Sequence, residues 1–459
     1  MLTRGPDTPP ATTNEAAHGT RAPNQQSGAE PAGGSRRETQ PEGTVIGEGM
    51  PGWRRTFIAL IIAQTMSMVA FGMALPFLPL YVQTLGVSDE GDAVRWAGVM
   101  STTGMLVMAA VAPFWGVMAD RRGRKPMVAR ACFGGGLIVG AMALARSPLE
   151  LFGLRTLQGG FSGTVAATRT LLTSVVPASQ LGFTLGLMQT AVFVGNSFGP
   201  LLGGFISDAA GYRVSFLATG ALLAISGVIV MVFVRENFTP PVEADANARH
   251  GWQDAVAMIE RTPGLSAVIV TLFLVSAAQN AMGPVLPVFV KTLVADAHTQ
   301  VASMAGLVLG ITAVTSAIAA GLGGRIGDRY GHGRMMAACA IIGGVLYFPQ
   351  ALVTSPYELL VWRGLLGLFT GGLMPGTMAI VALRTPAAHR GWVFGLTTTA
   401  TALGNAAGPM AGAATATALG LRATFVATGL ILTIAGVWAA WSTGRTVRAA
   451  TPTTSTGAV

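Results

Sequence analysis

Residues 195–200 read GNSFGP and residues 404–409 read GNAAGP, an offset of 209 positions. The first copy opens GNSFGPLLGG, Gly195 to Gly204, inside a run from 170 to 207 that contains no Asp, Glu, Lys or Arg. The runs 56–88, 262–290, 297–324 and 391–421 are equally free of charge. Each exceeds the roughly 20 apolar residues that carry a helix across a bilayer. The chain of 459 residues is 51% hydrophobic and only 11% charged. Soluble domains carry about a quarter of their residues as charges, so this chain lacks the polar surface of a water-soluble fold. Twelve spans are expected, the first near 56–83 and the last near 421–443.

The doubling extends beyond the opening pair. LPFLPLYVQTL from Leu75 matches GPVLPVFVKTL from Gly283, with Pro76 and Pro79 on Pro284 and Pro287, an offset of 208. GVMADRRGR and GRIGDRYGH put Asp120 on Asp328, and SPLELFGLR and SPYELLVWR put Arg155 on Arg363, again at 208. GYRVSFLATG and GLRATFVATG repeat the offset of 209. Markers repeated in one order imply two structural copies in tandem. The expected fold is an all-α membrane protein of twelve transmembrane helices in two pseudo-symmetric six-helix bundles, at 51–234 and 263–444. A polar linker at 235–262 joins them. Residues 1–50, rich in Pro, Gly, Ser, Thr and Glu, read as a disordered cytoplasmic tail, and 445–459 as a second one. The first span then serves as an uncleaved insertion signal.

The formal charge of +9 is a topology signal and needs no nucleic-acid partner. With the N-terminus inside, seventeen basic residues outside the tail fall on the inner side, and only Arg95, Arg146, Arg213, Lys291 and Arg422 on the outer. This is the positive-inside pattern, and it places both termini in the cytoplasm. Cys132 and Cys339 both fall in spans, where a disulfide is not expected. There is no His/Glu metal cluster in a span, no Ser/His pairing and no nucleotide-binding loop, which disfavours an enzyme, a cofactor or direct ATP drive.

Two like bundles in one membrane chain suit a transporter that rocks about a central site. In MALPFLPLYV, APFWGVMADRRGRK, RENFTP and GNAAGPMAGAA the chain resembles the major facilitator superfamily, within its drug:proton antiporter group of twelve-span multidrug exporters. The resemblance covers nearly all of residues 51–445. GVMADRRGRK fits the family's Gly-x-x-x-Asp-Arg-x-Gly-Arg-Lys loop through Gly116, Asp120, Arg121, Gly123, Arg124 and Lys125. The resemblance implies that Asp120 docks on the N-terminus of the eleventh helix, near Arg390 and Gly391, when the cytoplasmic side is closed. Asp328 is its degenerate second copy, with His332 and Gly333 interrupting the basic run.

Arg155, with Gln158 and Gly159, lies about two turns inside the fourth span, and Arg363 is its repeat in the tenth. A charge at that depth costs at least about 2.5–3.5 kcal/mol and ordinarily faces a cavity or a partner. The family pattern assigns the arginine to proton coupling or substrate contact. Arg169, nearer the span end, is expected to reach the surface.

Gly195, Gly199 and Gly203 share one helix face, repeated as Gly404, Gly408 and Gly412. Such stripes permit close helix packing, and a bent, smooth-faced helix is a candidate pivot. With Pro200 and Gly204 the first stripe resembles the antiporter signature of exporters.

All five histidines and all the carboxylates lie in the tails, loops or span ends. The deep carboxylate that several relatives use to exchange a proton for a cationic drug is missing. A neutral pocket is expected instead, from Gln64 and Met68 on the first span and Gln279 and Asn280 on the seventh, methionine adapting to varied shapes. The expected function is a proton-coupled exporter of small lipophilic compounds in a bacterial inner membrane, working as a monomer. Alternatives are an exporter of one metabolite or antibiotic, or a non-transporting sensor on the same fold.

Overall fold

The structure, a computed structural model, describes residues 52–238, 265–294, 300–373, 377 and 390–449, all within the unit Gly47–Val459. Regular structure among the described residues is helical, without a strand. The first half contains α1 (Trp53–Ala74), α2 (Leu78–Thr84), α3 (Glu90–Arg122), α4 (Lys125–Met142), α5 (Pro148–Phe161), α6 (Thr164–Val175), α7 (Leu181–Ala210) and α8 (Tyr212–Phe233). The second contains α9 (Leu265–Ala281), α10 (Leu286–Leu293), α11 (Val301–Tyr330), α12 (His332–Val345), α13 (Tyr347–Gln350), α14 (Pro356–Thr370), α15 (Arg390–Leu419) and α16 (Leu421–Ala449). Seven described helical runs are long and apolar enough to cross a membrane. The other expected spans fall on α4, α5–α6, α12–α13, α14 and α15, which are helical but shorter, broken or more polar. The tail at 1–50 and most of the 235–262 linker lie outside the described residues. With no breaker before Pro452, α16 runs on to Ala449, past the boundary expected at 444.

Local chemistry explains the element ends, and it repeats. Pro148 and Pro356 begin α5 and α14, each behind a serine cap, Ser147 and Ser355. Proline is suited to the first helical turn, where its missing N–H removes no bond. Gly123 and Gly331 end α3 and α11 at φ 92° and 91°, and Gly211 and Gly420 end α7 and α15 at φ 88° and 91°. These values are open to glycine and strained for other residues. The first span breaks at Leu75–Phe77 beside Pro76 and Pro79, and the seventh breaks between α9 and α10 beside Pro284 and Pro287. Each pair sits at the sequence offset of 208 or 209, so the repeat is a repeat of turns and breaks.

Each half has its own close helix contacts. The apposition of α4 and α8 is tight enough that a Cβ on Gly220 would stand 2.7 Å from the Gly136 carbonyl oxygen. In the second half, a Cβ on Gly429 would stand 2.7 Å from the Gly344 carbonyl oxygen. Arg213 donates to the Ala145 carbonyl at 3.4 Å, and its counterpart Arg422 donates to Val353 at 3.1 Å and Ala351 at 2.6 Å. Large apolar side chains such as Leu137, Phe205, Val232 and Ile434 project from the helices with more than half of their surface exposed. In a helical protein of this composition such a belt is the lipid-facing surface.

Candidate transport site

The helices end at two faces. The basic end carries Arg121, Arg122, Arg124 and Lys125 around the α3–α4 turn, and Arg329 and Arg334 around the α11–α12 turn. The far end carries the turns at Gly86, Gly211 and Gly420. At the far end the two halves are pressed together. Thr102 on α3 donates to the Ala406 carbonyl on α15 at 2.7 Å. A Cβ on Gly98 would stand 2.9 Å from the Pro409 carbonyl oxygen, and its repeat Gly306 on α11 faces the Pro200 carbonyl of α7. Lys291 donates to Gln83 at 2.7 Å across 208 positions, which is the repeat offset itself. The bond therefore joins equivalent positions of the two copies and marks their pseudo-twofold axis.

One contact at this end is electrostatic. The half-buried Asp208, in the last turn of α7, accepts from the backbone N–H groups of Ala302 at 3.1 Å and Ser303 at 2.6 Å. These are the second and third residues of α11, whose own N-cap, Gln300, makes no side-chain cap bond. Free N–H groups in the first turn need an acceptor, and here the other half supplies it. Nothing in the sequence alone gives this span-end carboxylate a role. Its pairing crosses 94 positions, which no local pattern signals.

At the basic end the described residues show no such contact between the halves. A Cβ on Gly116, Gly182, Gly186, Gly321 or Gly395 would meet nothing within 4 Å. Asp120 is exposed, and so is Asp328, with His332 at 3.5 Å. The side chains of Arg390 and Gly391, the expected dock of Asp120, lie outside the described residues. The loop is pinned instead by a residue the sequence reading missed. Glu236, just past α8, accepts from the N–H of Arg124 at 2.8 and 3.0 Å and of Lys125 at 2.8 Å, capping α4. Lys125 Nζ returns a bond to the Met231 carbonyl at 2.9 Å. Gly123 is required here twice, by its φ and because a Cβ would stand 3.0 Å from Glu236 Oε2.

Between the ends lies a cavity of about 510 Å³, walled by both halves. The first half contributes Gly72, Pro76, Gln189 and Asn196, the second Gln279, Thr312, Tyr347 and Arg363. Beside it, along α1, is a second cavity of about 410 Å³, bordered by Met68, Arg155, Gln158 and Arg169. Of the four expected pocket residues, Gln279 and Met68 border these cavities. Gln64 is buried in α1 with both amide atoms unpartnered. Asn280 bonds to Asn405 of α15 at 2.9 Å and ties the second half together.

Arg155 and Arg363 retain 8% and 5% of their surface exposed. Arg155 donates to Gln158, whose amide donates to Ser162 at 2.8 Å, and its Nε has no partner. Gly104 makes this placement possible, since a Cβ there would stand 2.6 Å from Arg155 Nη1. The repeat of Gln158 is Leu366, so Arg363 has no such amide. Its Nε and Nη2 are unpartnered, the Tyr347 side chain lies within hydrogen-bonding reach of the guanidinium, and the Tyr347 and Phe425 rings stand at 5.5 and 5.7 Å. A desolvated cation–π contact returns about 2 kcal/mol or more. That is the same scale as the cost of the depth, at least about 2.5–3.5 kcal/mol, and neither ring supplies a counter-charge. Arg169, expected to reach the surface, is exposed but borders the second cavity and bonds to Gln189 on the wall of the central one.

The glycine stripe departs from the pivot reading. Gly195, Gly199 and Gly203 pack on Met68, Gly72 and Met73 of α1 in their own half, with a Cβ on Gly199 only 2.7 Å from Gly72 Cα. Gly404, Gly408 and Gly412 pack on α9 in theirs, a Cβ on Gly408 standing 2.5 Å from the Ala277 carbonyl oxygen. The stripe welds helices within a half. Gly204, one position round the helix, faces Ala302 in the other half.

Two helical halves bonded together at one end, unpaired among the described residues at the other, and enclosing a central cavity are the architecture of a membrane transporter working by alternating access. The chain matches the family model of the Major Facilitator Superfamily over residues 60–303 and 293–458, and it belongs to that family. It is 31% identical over 390 residues to the multidrug resistance protein MdtG of Serratia proteamaculans, covering 85% of this chain and 94% of that protein. It is also 31% identical to the multi-drug resistance efflux pump PmrA homolog of Lactococcus lactis, covering 84% of this chain and 94% of that one. A bacterial homolog of the human lysosomal transporter Spinster, solved inward-facing and unoccupied, superposes with a TM-score of 0.69 at 16% identity, covering 87% of this chain and 99% of that one.

Proposed function

We propose that this transporter exports small molecules from the cytoplasm of a bacterium in exchange for protons, with the basic end facing inward and Asp120 as part of the cytoplasmic gate. The observation that carries the reading is the contrast between the far end, where the halves are bonded across the central cavity's roof, and the basic end, where Gly116, Gly182, Gly186, Gly321 and Gly395 meet no neighbour. Such a state loads cargo from the side the positive-inside pattern assigns to the cytoplasm. The relatives named as multidrug resistance proteins support export, and family membership supports proton drive. In this scheme Asp120 finds its helix N-terminus only after the halves rock and the basic end closes. A contact of that kind contributes up to about 2 kcal/mol, strong enough to hold a gate and weak enough to release on each cycle. The test is a resistance panel in an efflux-deficient bacterium, repeated with a protonophore. Broad, protonophore-sensitive resistance is expected. One narrow hit would favour a dedicated exporter, which the fixed cationic groups of the cavity also suit. No change in resistance to any compound, with the protein in the membrane, would sink the export reading.

A further inference from the structure

The charged side chains bordering the two cavities are Arg155, Arg169 and Arg363, and no described residue bordering either is a carboxylate. Two of the three are more than nine-tenths buried and leave guanidinium nitrogens without a partner. Buried charge without a counter-charge is unfavourable unless something supplies one. Around Arg363 the repeat has removed the one amide that serves Arg155, and Leu366 stands in its place. Gln189, Gln279, Asn196 and Thr312 add neutral polar groups to the same wall.

We propose that the cargo carries a negative charge: an organic anion, with a carboxylate, phosphonate or sulfonate head on a compact apolar body, anchored by Arg363 in the central cavity. A planar guanidinium with free N–H groups matches such oxygens in pairs. The cavity, about 510 Å³, suits a small drug-sized molecule. Arg155 is the matched basic group of the first half, on the side cavity along α1. A cationic drug would meet like charges and no carboxylate, so the site selects against it. The inference rests on the transport reading and deepens it.

The test uses the full-length chain in lipid nanodiscs and two probes of one shape, 2-naphthoate and the uncharged 2-naphthamide. Equilibrium binding, corrected for empty discs, is expected to favour the anion by about tenfold or more, ~1.4 kcal/mol. Arg363→Gln removes most of that preference while amide binding stays, and Arg363→Lys restores part of it, an outcome a purely packing role for Arg363 does not produce. Equal affinities in the unmodified protein, no naphthoate binding, or a preference that survives in the double variant Arg155→Gln/Arg363→Gln overturns the proposal. Uptake into everted vesicles is scored separately. Anion preference without proton-driven uptake would refute the exporter and leave the anion site standing. Proton-driven uptake of the amide as fast as the acid would refute the anion site and leave the exporter standing.

Discussion

Asp208→Asn is expected to loosen the far end. The carboxylate accepts from Ala302 and Ser303 at 3.1 and 2.6 Å, and the helix it caps belongs to the other half. Asparagine keeps one carbonyl oxygen at nearly the same place, so packing is preserved and one bond can persist. What disappears is the charge, facing the positive end of a 30-residue helix, and the second bond. A carboxylate at a partly buried helix N-terminus is worth up to about 2 kcal/mol, and the loss is estimated at about 1–2 kcal/mol. That moves the ratio of far-end-closed to far-end-open molecules by roughly 5–30-fold toward open. Spin labels at Ser88 and Thr354, both exposed at the far end of opposite halves, read the change as a longer-distance population in pulsed electron resonance. Cys132 and Cys339 are first replaced by alanine to leave these sites unique. The repeat supplies an internal control. Thr417 occupies the place of Asp208 in the second copy and faces Gly91 at the start of α3, which is already capped by its own Asp89 at 2.8 Å. Thr417→Ala is therefore expected to leave the distances unchanged. A distance distribution in Asp208→Asn that overlays the parent, or one displaced toward closure, would refute the latch.

Four further outcomes follow from the same contacts. Gly199→Ala places a Cβ 2.7 Å from Gly72 Cα and so forces α7 from α1, and is expected to lower stability by about 1–3 kcal/mol; an unchanged melting curve would show that the weld is soft. Glu236→Ala removes the three bonds that hold the Arg124–Lys125 turn, and is expected to raise amide exchange there while α5 stays protected; equal exchange would remove Glu236 from the loop's support. Asp120→Asn should cut transport sharply at equal membrane expression while leaving the basic-end-open state intact, and unchanged efflux would end its role as a gate. Arg155→Ala should impair transport more than Arg169→Ala, because only Arg155 is buried; the reverse order would overturn the depth argument.

What could be read from the chain is what repeats or what is local. The offsets of 208 and 209 give the two halves, and the structure shows why the same residues recur. Gly123 and Gly331 turn the chain at matching φ, and Arg213 and Arg422 tie matching loops. Depth in a span singled out Arg155 and Arg363 because a charge at that depth needs a reason. What escaped were contacts between elements distant in sequence. Asp208 meets α11 across 94 positions and Glu236 meets α4 across 112, and neither has a periodic signature. Helix face was the other blind spot. Period 3.6 groups Gly195, Gly199 and Gly203 but does not say which neighbour they meet, and Gln64, polar and central, turned into the packed interior and away from both cavities.

The geometry of α7 explains how one chain can be rigid and mobile together. Its glycine face meets α1 backbone to backbone, with a Cβ on Gly199 allowed only 2.7 Å, so the two helices move as one body. Its other face meets α11 between Ser197 and Asp208, while Gly182 and Gly186 toward its opposite end face open space. The α3–α15 pair repeats the plan, with Gly98 on Pro409 where the first pair has Gly306 on Pro200. Opening the far end therefore breaks a short set of bonds: the Asp208 cap, Thr102 to Ala406, and Lys291 to Gln83. Close packing within each half is untouched. Small residues line both crossings, but Leu201 packs on Gly310, and Phe77, Leu80 and Val94 join the apolar cluster of the second half, so these side chains must also part as the halves separate. The polar part of the barrier is a few contacts of about 1–2 kcal/mol each, a scale that cargo binding or protonation is able to match, and the shared apolar cluster adds to it.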